Sequence, residues 1–358
     1  MRQPTVLVTG GAGFIGSNFV RHLLRSSLNV QVVVFDKLTY AGNRDNLAPV
    51  WDHPRFTFIP GDICNTAAVR DAMCGCDWVV HFAAETHVDR SISDPDIFLQ
   101  TNIEGTFALL QAAYKFGIKR FIHVSTVEVY GDTEISDSIG LLYREDDPLK
   151  PNSPYAASKV AADRLAFSYW STFNLPVVIT RCINTYGPYQ YPEKQIPLFI
   201  TNALKGRPLP IHGDGHNTRN WIHVDDHCTA LLAILEAPEA KVVGEVFNIG
   251  TDEERSVLEN ARAILDLLGA PRNLISFVPD RKGSVRRLAV DTTKIRERLG
   301  WIPQIGFQEG LEQTVNWYRD QEGWLKKVLA RGDTFLDNAL TLGTSYSETS
   351  VLSGALLV

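Results

Sequence analysis

Short apolar runs alternate with stretches of helical periodicity through the first half of the chain. The runs end at small or acidic residues, which is typical of buried parallel strands, and apolar residues between them recur at helical spacing. The pattern predicts strands over 5–9, 30–35, 56–59, 77–82, 120–125 and 177–181, and helices over 14–24, 102–114 and 155–170. Strands that alternate with helices in this way predict an α/β fold with a doubly wound parallel sheet.

The pattern changes from about Gly187 onward. Prolines become frequent, so we expect shorter elements and longer loops there. The run Val246–Ile249 is a late strand that could rejoin the first sheet, and 255–268 and 292–299 look helical. We therefore divide the chain into a sheet domain over 1–186, a smaller α/β lobe mainly over 187–330, and a tail over 331–358 that is either loose or a docking segment.

Composition and charge exclude several classes of protein. Of the 358 residues, 44% are hydrophobic and 21% are charged, which is ordinary for a globular chain and excludes wholesale disorder. A net charge of −6 gives no general attraction to nucleic acid or to an anionic membrane. No apolar run approaches the roughly 20 residues that span a bilayer, and the chain enters its first strand without a leader. We expect no nucleic-acid partner and no membrane partner.

The five cysteines favour a reducing compartment. Their number is odd, and only Cys74 and Cys76 lie close together, without a second pair at zinc-site spacing. We therefore expect reduced thiols, no metal site and a cytoplasmic location.

A glycine-rich turn follows the first predicted strand. Gly10, Gly13 and Gly16 are spaced for a tight turn, for close approach of the backbone to a pyrophosphate, and for close packing of helix on strand. Phe14 and Ile15 open the helix whose free N–H groups would face the phosphates. The turn therefore predicts a dinucleotide-binding Rossmann sheet.

Acidic and small residues at the ends of the next strands bear on the choice of dinucleotide. Asp36 ends the second strand, where a carboxylate accepts the ribose 2′-OH and repels a 2′-phosphate, so NAD is favoured over NADP. Lys37 is a competing signal, since it could pair with a phosphate. Asp62 is either an adenine ligand or a helix cap. The remaining expected cofactor contacts are Ile63, Ala83 and Ala84.

A tyrosine and a lysine on one helix face indicate redox chemistry. Tyr155 and Lys159 are separated by one helical turn, and Ser125–Thr126 ends the fifth predicted strand. An ammonium and a positively charged nicotinamide would favour the phenolate of a side chain whose pKa is ordinarily about 10. Together these residues predict a site at which Tyr155 takes a hydroxyl proton while NAD takes the hydride.

With these motifs in place, the chain resembles the extended short-chain dehydrogenases that act on nucleotide sugars, and most closely the dTDP-glucose 4,6-dehydratases. The resemblance covers about residues 4–320. The stretches that match, in the order of the family, are 36–43, 83–91, 128–131, 184–189, 192–194 and 219–221.

The resemblance implies a reaction and an assembly. The sugar would be oxidised at C4 and lose water across C5–C6, after which the hydride would return to C6. Thr126 and Tyr155 would contact the C4 oxygen, Lys159 would contact the tyrosine and the ribose, and Glu128 would be the base at C5. The family pairs through two helices per subunit, which implies a homodimer through 102–116 and 155–173.

Residues of the later region would hold a nucleotide-diphosphate sugar. By resemblance, Asn184 and Arg219 would bind the diphosphate, and Glu193–Lys194 would lie near the sugar or the base. His87, with Asp89 and Arg90 beside it, belongs either to the substrate site or to a structural cluster beneath it. The full set of expected substrate contacts is His87, Thr126, Asn184, Glu193, Lys194, Arg219, Asn248 and Arg281.

One residue departs from the family pattern. The family carries Thr-Asp-Glu where this chain has Thr126-Val127-Glu128. The missing aspartate would protonate the departing C6 hydroxyl, so either another group or water does so, or the reaction differs. Decarboxylation of a UDP-glucuronate type or C4 epimerisation is then the enzymatic alternative, and a non-catalytic NAD-binding regulatory protein is a remote one. If the chain is a dehydratase, the sequence predicts that Val127→Asp raises the rate of dehydration.

Overall fold

The computed structural model describes residues 2–132, 141–281 and 283–341. The strands are β1 (Thr5–Thr9), β2 (Gln31–Asp36), β3 (Phe56–Pro60), β4 (Trp78–His81), β5 (Arg120–Thr126), β6 (Val177–Cys182), β7 (Asn184–Tyr186), β8 (Leu209–His212), β9 (Thr218–His223), β10 (Val246–Ile249), β11 (Glu254–Ser256), β12 (Ile275–Val278) and β13 (Arg287–Leu288). The helices are α1 (Phe14–Arg25), α2 (Thr66–Met73), α3 (Val88–Ser93), α4 (Asp96–Phe98), α5 (Thr106–Phe116), α6 (Pro154–Phe173), α7 (Gln195–Leu204), α8 (Val224–Glu236), α9 (Glu239–Val242), α10 (Val257–Leu268), α11 (Thr293–Leu299), α12 (Phe307–Asp320), α13 (Glu322–Leu329) and α14 (Thr334–Leu340).

Seven parallel strands form the main sheet in the order β10-β6-β5-β4-β1-β2-β3. At its centre, Val6 of β1 lies opposite Val32 on one side and Trp78 on the other. The strand order reverses between β1 and β4, and such a point leaves a crevice at the carboxyl ends of the strands. β10 pairs with β6, with Val246 opposite Ile179. The doubly wound parallel sheet and the return of residues 246–249 to it are therefore confirmed.

Helices cover both faces of the main sheet, because its strands are apolar on both sides. On one face, Phe19 of α1 and Leu231 of α8 belong to the same buried cluster. On the other face, Val69 of α2, Leu109 of α5 and Ala166 of α6 share a second cluster. These two layers fix the positions of the loops at the carboxyl edge of the sheet.

A smaller lobe has its own strands and core. β9 pairs with β7, β11 and β13, and β12 pairs with β8. α7, α10 and α12 pack together around a core that includes Phe199, Ile264 and Leu311. A boundary at residue 186 is nevertheless too simple, because α8 returns to pack on α1. Residues 224–236 therefore belong to the layer of the main sheet, together with β10.

Two further helices follow the smaller lobe. Trp324 and Leu325 of α13 and Leu336 and Leu340 of α14 are buried in the core of that lobe. Residues 331–341 of the predicted tail are therefore docked, whereas the apolar stretch at 351–358 lies outside the described residues. Among the helices of the described ranges, none is both long enough and apolar enough to cross a membrane.

Candidate active site

A cavity of about 510 Å³ lies between the carboxyl ends of the main-sheet strands and the smaller lobe. Loops that follow β1, β2 and β4 form one end, the end of β5 and the start of α6 form the middle, and β9 and α7 contribute to the other end. The cavity brings together nearly all of the sequence-predicted site residues: Gly10, Gly13, Phe14, Ile15, Gly16, Asp36, Lys37, Asp62, Ile63, Ala83, Ala84, His87, Thr126, Glu128, Tyr155, Lys159, Asn184, Glu193, Lys194, Arg219 and Arg281.

The glycine-rich turn after β1 leaves no room for side chains. Gly10 has a φ of 68°, in the left-handed region, and a Cβ there would lie 2.6 Å from the backbone nitrogen of Ala83. A Cβ at Gly16 would collide with the carbonyl oxygen of Gly10. Phe14, at the start of α1, lines the same space. This bare backbone beside a helix N-terminus fits the diphosphate of a dinucleotide.

The Asp36 carboxylate is held at the end of β2 by two backbone groups. Its Oδ2 accepts a hydrogen bond from Ala12 N at 2.9 Å, and its Oδ1 accepts one from Leu38 N at 2.8 Å. Burial raises the pKa of Asp36, and these two bonds oppose the rise. Each oxygen keeps a lone pair, so the carboxylate fits a ribose hydroxyl.

Lys37, which could have paired with a 2′-phosphate, is paired with a carboxylate instead. Its Nζ lies 2.7 Å from Oδ2 of Asp62, which neutralises the ammonium. The Oδ1 of Asp62 also accepts a hydrogen bond from Cys64 N at 2.9 Å. With its cation paired, this end of the cavity favours a free 2′-OH over a 2′-phosphate.

Tyr155 and Lys159 lie one turn apart near the start of α6, which begins behind a Ser153 cap whose Oγ accepts a hydrogen bond from Ala156 N. The Nζ of Lys159 donates a hydrogen bond to the carbonyl oxygen of Val124 at 2.8 Å. Burial lowers the pKa of Lys159 to about 8, although Asp163 acts in the opposite direction. The Lys159 side chain is therefore fixed beside β5, and it loses its proton at a lower pH than an exposed lysine does.

The phenol of Tyr155 is not a phenolate in the protein alone. Burial raises its pKa above the ordinary value, and the Glu128 carboxylate raises it further, while a hydrogen bond with Thr126 lowers it. Burial therefore favours the neutral phenol. Deprotonation of Tyr155 needs an additional positive charge in the cavity, which an oxidised nicotinamide would bring.

The end of β5 presents hydroxyl and carboxyl groups to the cavity. Thr126 Oγ1 accepts a hydrogen bond from Glu128 N at 3.3 Å and so caps the turn of helix at Val127–Tyr130. Ser125 also lines the cavity, and its buried Oγ has no hydrogen-bond partner among the described atoms. This unsatisfied hydroxyl is available to a ligand, beside that of Thr126.

Val127 points away from the groups on either side of it. It is 1% exposed, belongs to the apolar cluster with Val129 and Tyr130, and is not among the described residues that line the cavity. The Val127 side chain therefore packs in the core and supplies no group to the cavity. Thr126 and Glu128, on either side of it, line the cavity.

Arg219 and Arg281 supply cationic groups to the lobe side of the cavity. Arg219, on β9, donates from Nη2 to the carbonyl oxygen of Val285 at 2.6 Å, so its guanidinium is held in a fixed orientation. Burial lowers the pKa of Arg219, and the nearby Glu128 carboxylate raises it. Arg281 lies 3.3 Å from Asp89. Such guanidinium groups suit a diphosphate.

The loop after β4 and the start of α7 meet at the cavity wall. Lys194 Nζ donates a hydrogen bond to the carbonyl oxygen of Thr86 at 2.8 Å, and the Glu193 carboxylate accepts one from Arg90 at 2.8 Å. Burial lowers the pKa of His87 well below its ordinary value, and the neighbouring cations lower it further. Because His87 and Asp89 line the cavity while Arg90 lies behind it, the cluster belongs both to the site and to its support.

Asn248 is a correction to the predicted set, since it does not line the cavity. It is fully buried on β10, where its side-chain oxygen accepts a hydrogen bond from the hydroxyl of Tyr130 at 2.8 Å. Its amide nitrogen donates to the carbonyl oxygens of Tyr143 and Asp291. Asn248 therefore joins β10 to neighbouring segments and leaves no group for a substrate.

Asn102 is a supporting residue that the sequence did not reveal. It lies in a π-helical segment, Leu99–Gly105, where a continuous α-helix was predicted from residue 102. Its side-chain oxygen accepts a hydrogen bond from Glu85 N, and its amide donates to the hydroxyl of Ser158. Asn102 thereby joins the loop after β4 to α6. A polar residue in an otherwise apolar helical pattern is the signal that could have found it.

No group of three or more His, Cys, Asp or Glu residues within the described ranges is arranged to hold a metal ion.

Comparisons with known proteins agree with this geometry. The family model of GDP-mannose 4,6 dehydratase matches residues 7–314. A dTDP-glucose 4,6-dehydratase of Streptomyces niveus is 50% identical over 323 residues, covering 89% of this chain and 94% of that protein. The structure of DesIV, a dTDP-glucose 4,6-dehydratase of Streptomyces venezuelae with NAD and dTDP bound, has a TM-score of 0.86 at 48% identity and covers 90% of this chain and 99% of its own. The structure of a UDP-glucuronic acid 4-epimerase of Bacillus cereus has a TM-score of 0.82 at 31% identity, with 88% and 99% covered.

Proposed function

The chain belongs to the GDP-mannose 4,6 dehydratase family, and within it we propose that it is an NAD-dependent lyase that converts dTDP-glucose to dTDP-4-keto-6-deoxyglucose. The observation that carries the proposal is the presence of two kinds of base in one cavity. Tyr155 with Lys159 suits removal of a hydroxyl proton, and the Glu128 carboxylate beside them suits removal of a carbon-bound proton. The dehydratases at 48–50% identity support dTDP-glucose as the substrate.

The cofactor end of the cavity fits NAD. The glycine-rich turn would hold the diphosphate, Asp36 would accept the ribose hydroxyl, and Lys159 would contact the second ribose. When bound, NAD⁺ would supply the acceptor for the C4 hydride and later the donor of that hydride to C6.

The first task of the side chains is to oxidise the sugar at C4. Tyr155 accepts the proton of the C4 hydroxyl, Thr126 holds the same oxygen through a hydrogen bond, and Lys159 keeps a positive charge beside the phenol. The C4 carbonyl that results acidifies the neighbouring C5 proton, so a carboxylate becomes a sufficient base.

Glu128 then carries the elimination. Its carboxylate takes the C5 proton and returns it to the departing C6 hydroxyl, so that water leaves. After the hydride has returned to C6, C5 still needs a proton. Glu128 would deliver it by taking up the proton that Tyr155 removed from the C4 hydroxyl, which restores the phenolate. We assign both roles to Glu128 because Val127 is an apolar core residue and can donate no proton. On the opposite side of the cavity, Arg219 and Asn184 hold the diphosphate, and Lys194 with Arg281 supplies further positive charge.

We further propose that the protein is a two-fold homodimer in the cytoplasm. Large apolar side chains are exposed on the segment 99–116 and on α6, including Leu99 at 47%, Phe107 at 41%, Tyr114 at 54% and Phe173 at 46%. A patch of this kind supports an interface between two copies, and the five free cysteines support a reducing compartment. Light scattering at micromolar concentration should give the mass of two chains, and a monomer would contradict the dimer.

The proposal is tested by the mass of the product. The protein is incubated separately with dTDP-glucose, UDP-glucose and UDP-glucuronate, and each product is read by mass spectrometry. We expect loss of one water from dTDP-glucose and no net accumulation of reduced cofactor. Loss of carbon dioxide from UDP-glucuronate would instead assign a decarboxylase, an isomeric product of unchanged mass would assign an epimerase, and tightly bound NAD without turnover would assign a regulatory protein.

A further inference from the structure

The segment formed by residues 331–341 lies against the outer side of the cavity wall, beyond the part of the chain that the family model covers. It contains Asp333 and the helix α14. Leu336 and Leu340 anchor it in the core of the smaller lobe, where they are 1% and 3% exposed. Arg331 Nη1 donates a hydrogen bond to the carbonyl oxygen of Gly42 at 2.8 Å. The segment is therefore an ordered part of the molecule with contacts at both of its ends.

Asp333 joins this segment to the cavity wall. Its Oδ2 accepts hydrogen bonds from Arg90 and from the hydroxyl of Tyr191, the latter at 2.9 Å. Its Oδ1 accepts one from Phe335 N at 3.1 Å and so caps α14. The side chain is only 11% exposed, so these bonds face little competition from water.

Arg90 transmits the position of Asp333 to the cavity. Its Nε donates to the Glu193 carboxylate at 2.8 Å, and its guanidinium lies between the rings of Tyr40 and Phe335, 3.8 and 4.3 Å from their centroids. A guanidinium presents its donors in one rigid plane. The Asp333 carboxylate binds one side of the Arg90 guanidinium, and this contact helps to fix the Nε that donates to Glu193.

The groups on the inner side of this contact line the cavity. Glu193 has a side chain that is 1% exposed, and Tyr191 lies two residues before it. His87 also lines the cavity, and its ring packs edge-on against Phe335 with 4.9 Å between centroids. The cavity-lining side chains of Glu193, Tyr191 and His87 thus all depend on residues 333–335 for an outer contact.

We propose that Asp333 is a positioning residue for nucleotide-sugar binding, which acts through Arg90 on Glu193 and directly on Tyr191. The inference rests on the proposed function. Loss of the Asp333 carboxylate weakens the binding of the sugar nucleotide. It leaves retention of NAD unchanged, because neither Asp333 nor Phe335 has a described contact with the glycine-rich turn or Asp36. The catalytic groups Tyr155 and Glu128 are also outside its contacts, so the effect falls on KM more than on kcat.

The test is Asp333→Asn, which keeps the size of the side chain and its capacity to cap α14 but removes the charge that Arg90 needs. The matched control is Asp337→Asn, because Asp337 is exposed on the same helix. KM for dTDP-glucose should rise about tenfold in the first variant, as expected for loss of a hydrogen bond between charged groups. Its kcat, bound NAD and melting temperature should match those of the control, and Asp333→Glu should restore part of the affinity.

Direct binding completes the test. In a Tyr155→Phe background, which holds dTDP-glucose without turnover, calorimetry should show the same tenfold weakening on addition of Asp333→Asn. Equal affinity with and without that change, or a fall in kcat at constant KM, would overturn the inference. Should Asp333→Asn fold poorly, Phe335→Leu tests the same wall through His87 and should also raise KM. Failure of the unaltered protein to dehydrate dTDP-glucose would contradict the proposed function instead.

Discussion

The substitution Val127→Asp distinguishes what the structure predicts for position 127 from what the family pattern predicts. The sequence alone predicted a gain in dehydration, because an aspartate there would stand beside the departing hydroxyl. In the structure Val127 is 1% exposed in an apolar cluster, so the new carboxyl would enter the core. Keeping it protonated at pH 7 costs about 4 kcal/mol, since its ordinary pKa is about 3.9 and one unit corresponds to about 1.4 kcal/mol. We therefore expect a loss of stability of this order and no faster dehydration.

Urea unfolding of Val127→Asp gives the magnitude, with Val127→Asn as the uncharged control of the same shape. A carboxyl buried in the folded state has a raised pKa there, so the folded state binds more protons than the unfolded state between the two pKa values. The deficit of the aspartate variant should therefore shrink as the pH falls from about 7 towards 4, while that of the asparagine variant stays constant. Unchanged stability together with several-fold faster single-turnover dehydration would refute the placement of position 127 in the core.

Four further results are expected from the catalytic groups. Tyr155→Phe should abolish formation of every product, because no phenolate remains to take the C4 proton, and retention of dehydration would contradict that role. Glu128→Gln should stop a single turnover after oxidation, so that a 4-keto-glucose nucleotide and the absorbance of reduced nicotinamide persist; complete dehydration by this variant would remove Glu128 from the elimination. The rate should fall as the pH rises through about 8, where Lys159 loses its proton, and a rate that does not change through that range would contradict the need for its charge. Since burial places the folded pKa of Lys159 below its ordinary 10.5, urea unfolding should show stability rising with pH between about 8 and 10.5.

The main sheet could be predicted because its strands are short apolar runs with turn residues at their ends. This signal lies within the sequence of each strand and does not depend on distant residues. The cofactor end of the cavity could also be predicted, because Gly10 follows β1 and Asp36 ends β2. The roles of both residues depend on nearby backbone. The pairing of β10 with β6 was also visible as one isolated apolar run.

The sequence could not predict roles that depend on the direction of a side chain or on partners far away along the chain. Val127 and Glu128 are adjacent in sequence, and only the turn after β5 decides which of them enters the cavity. Asn248 looked suited to a substrate, but its partners Tyr130 and Asp291 lie far away along the chain. Asp333 reaches Arg90 across 243 positions, and no periodicity along the chain encodes such a contact.

The fate of the hydrogen at C4 tests the central claim most directly. The protein is given dTDP-glucose that carries deuterium at C4, and the product is examined by mass spectrometry and NMR. If Tyr155, Lys159 and Glu128 act as proposed, the product loses water and the deuterium appears at C6, because the hydride leaves C4 and returns within one bound sugar. Deuterium lost to solvent, or retained at C4 in a product of unchanged mass, would contradict the assignment of this chain as a 4,6-dehydratase.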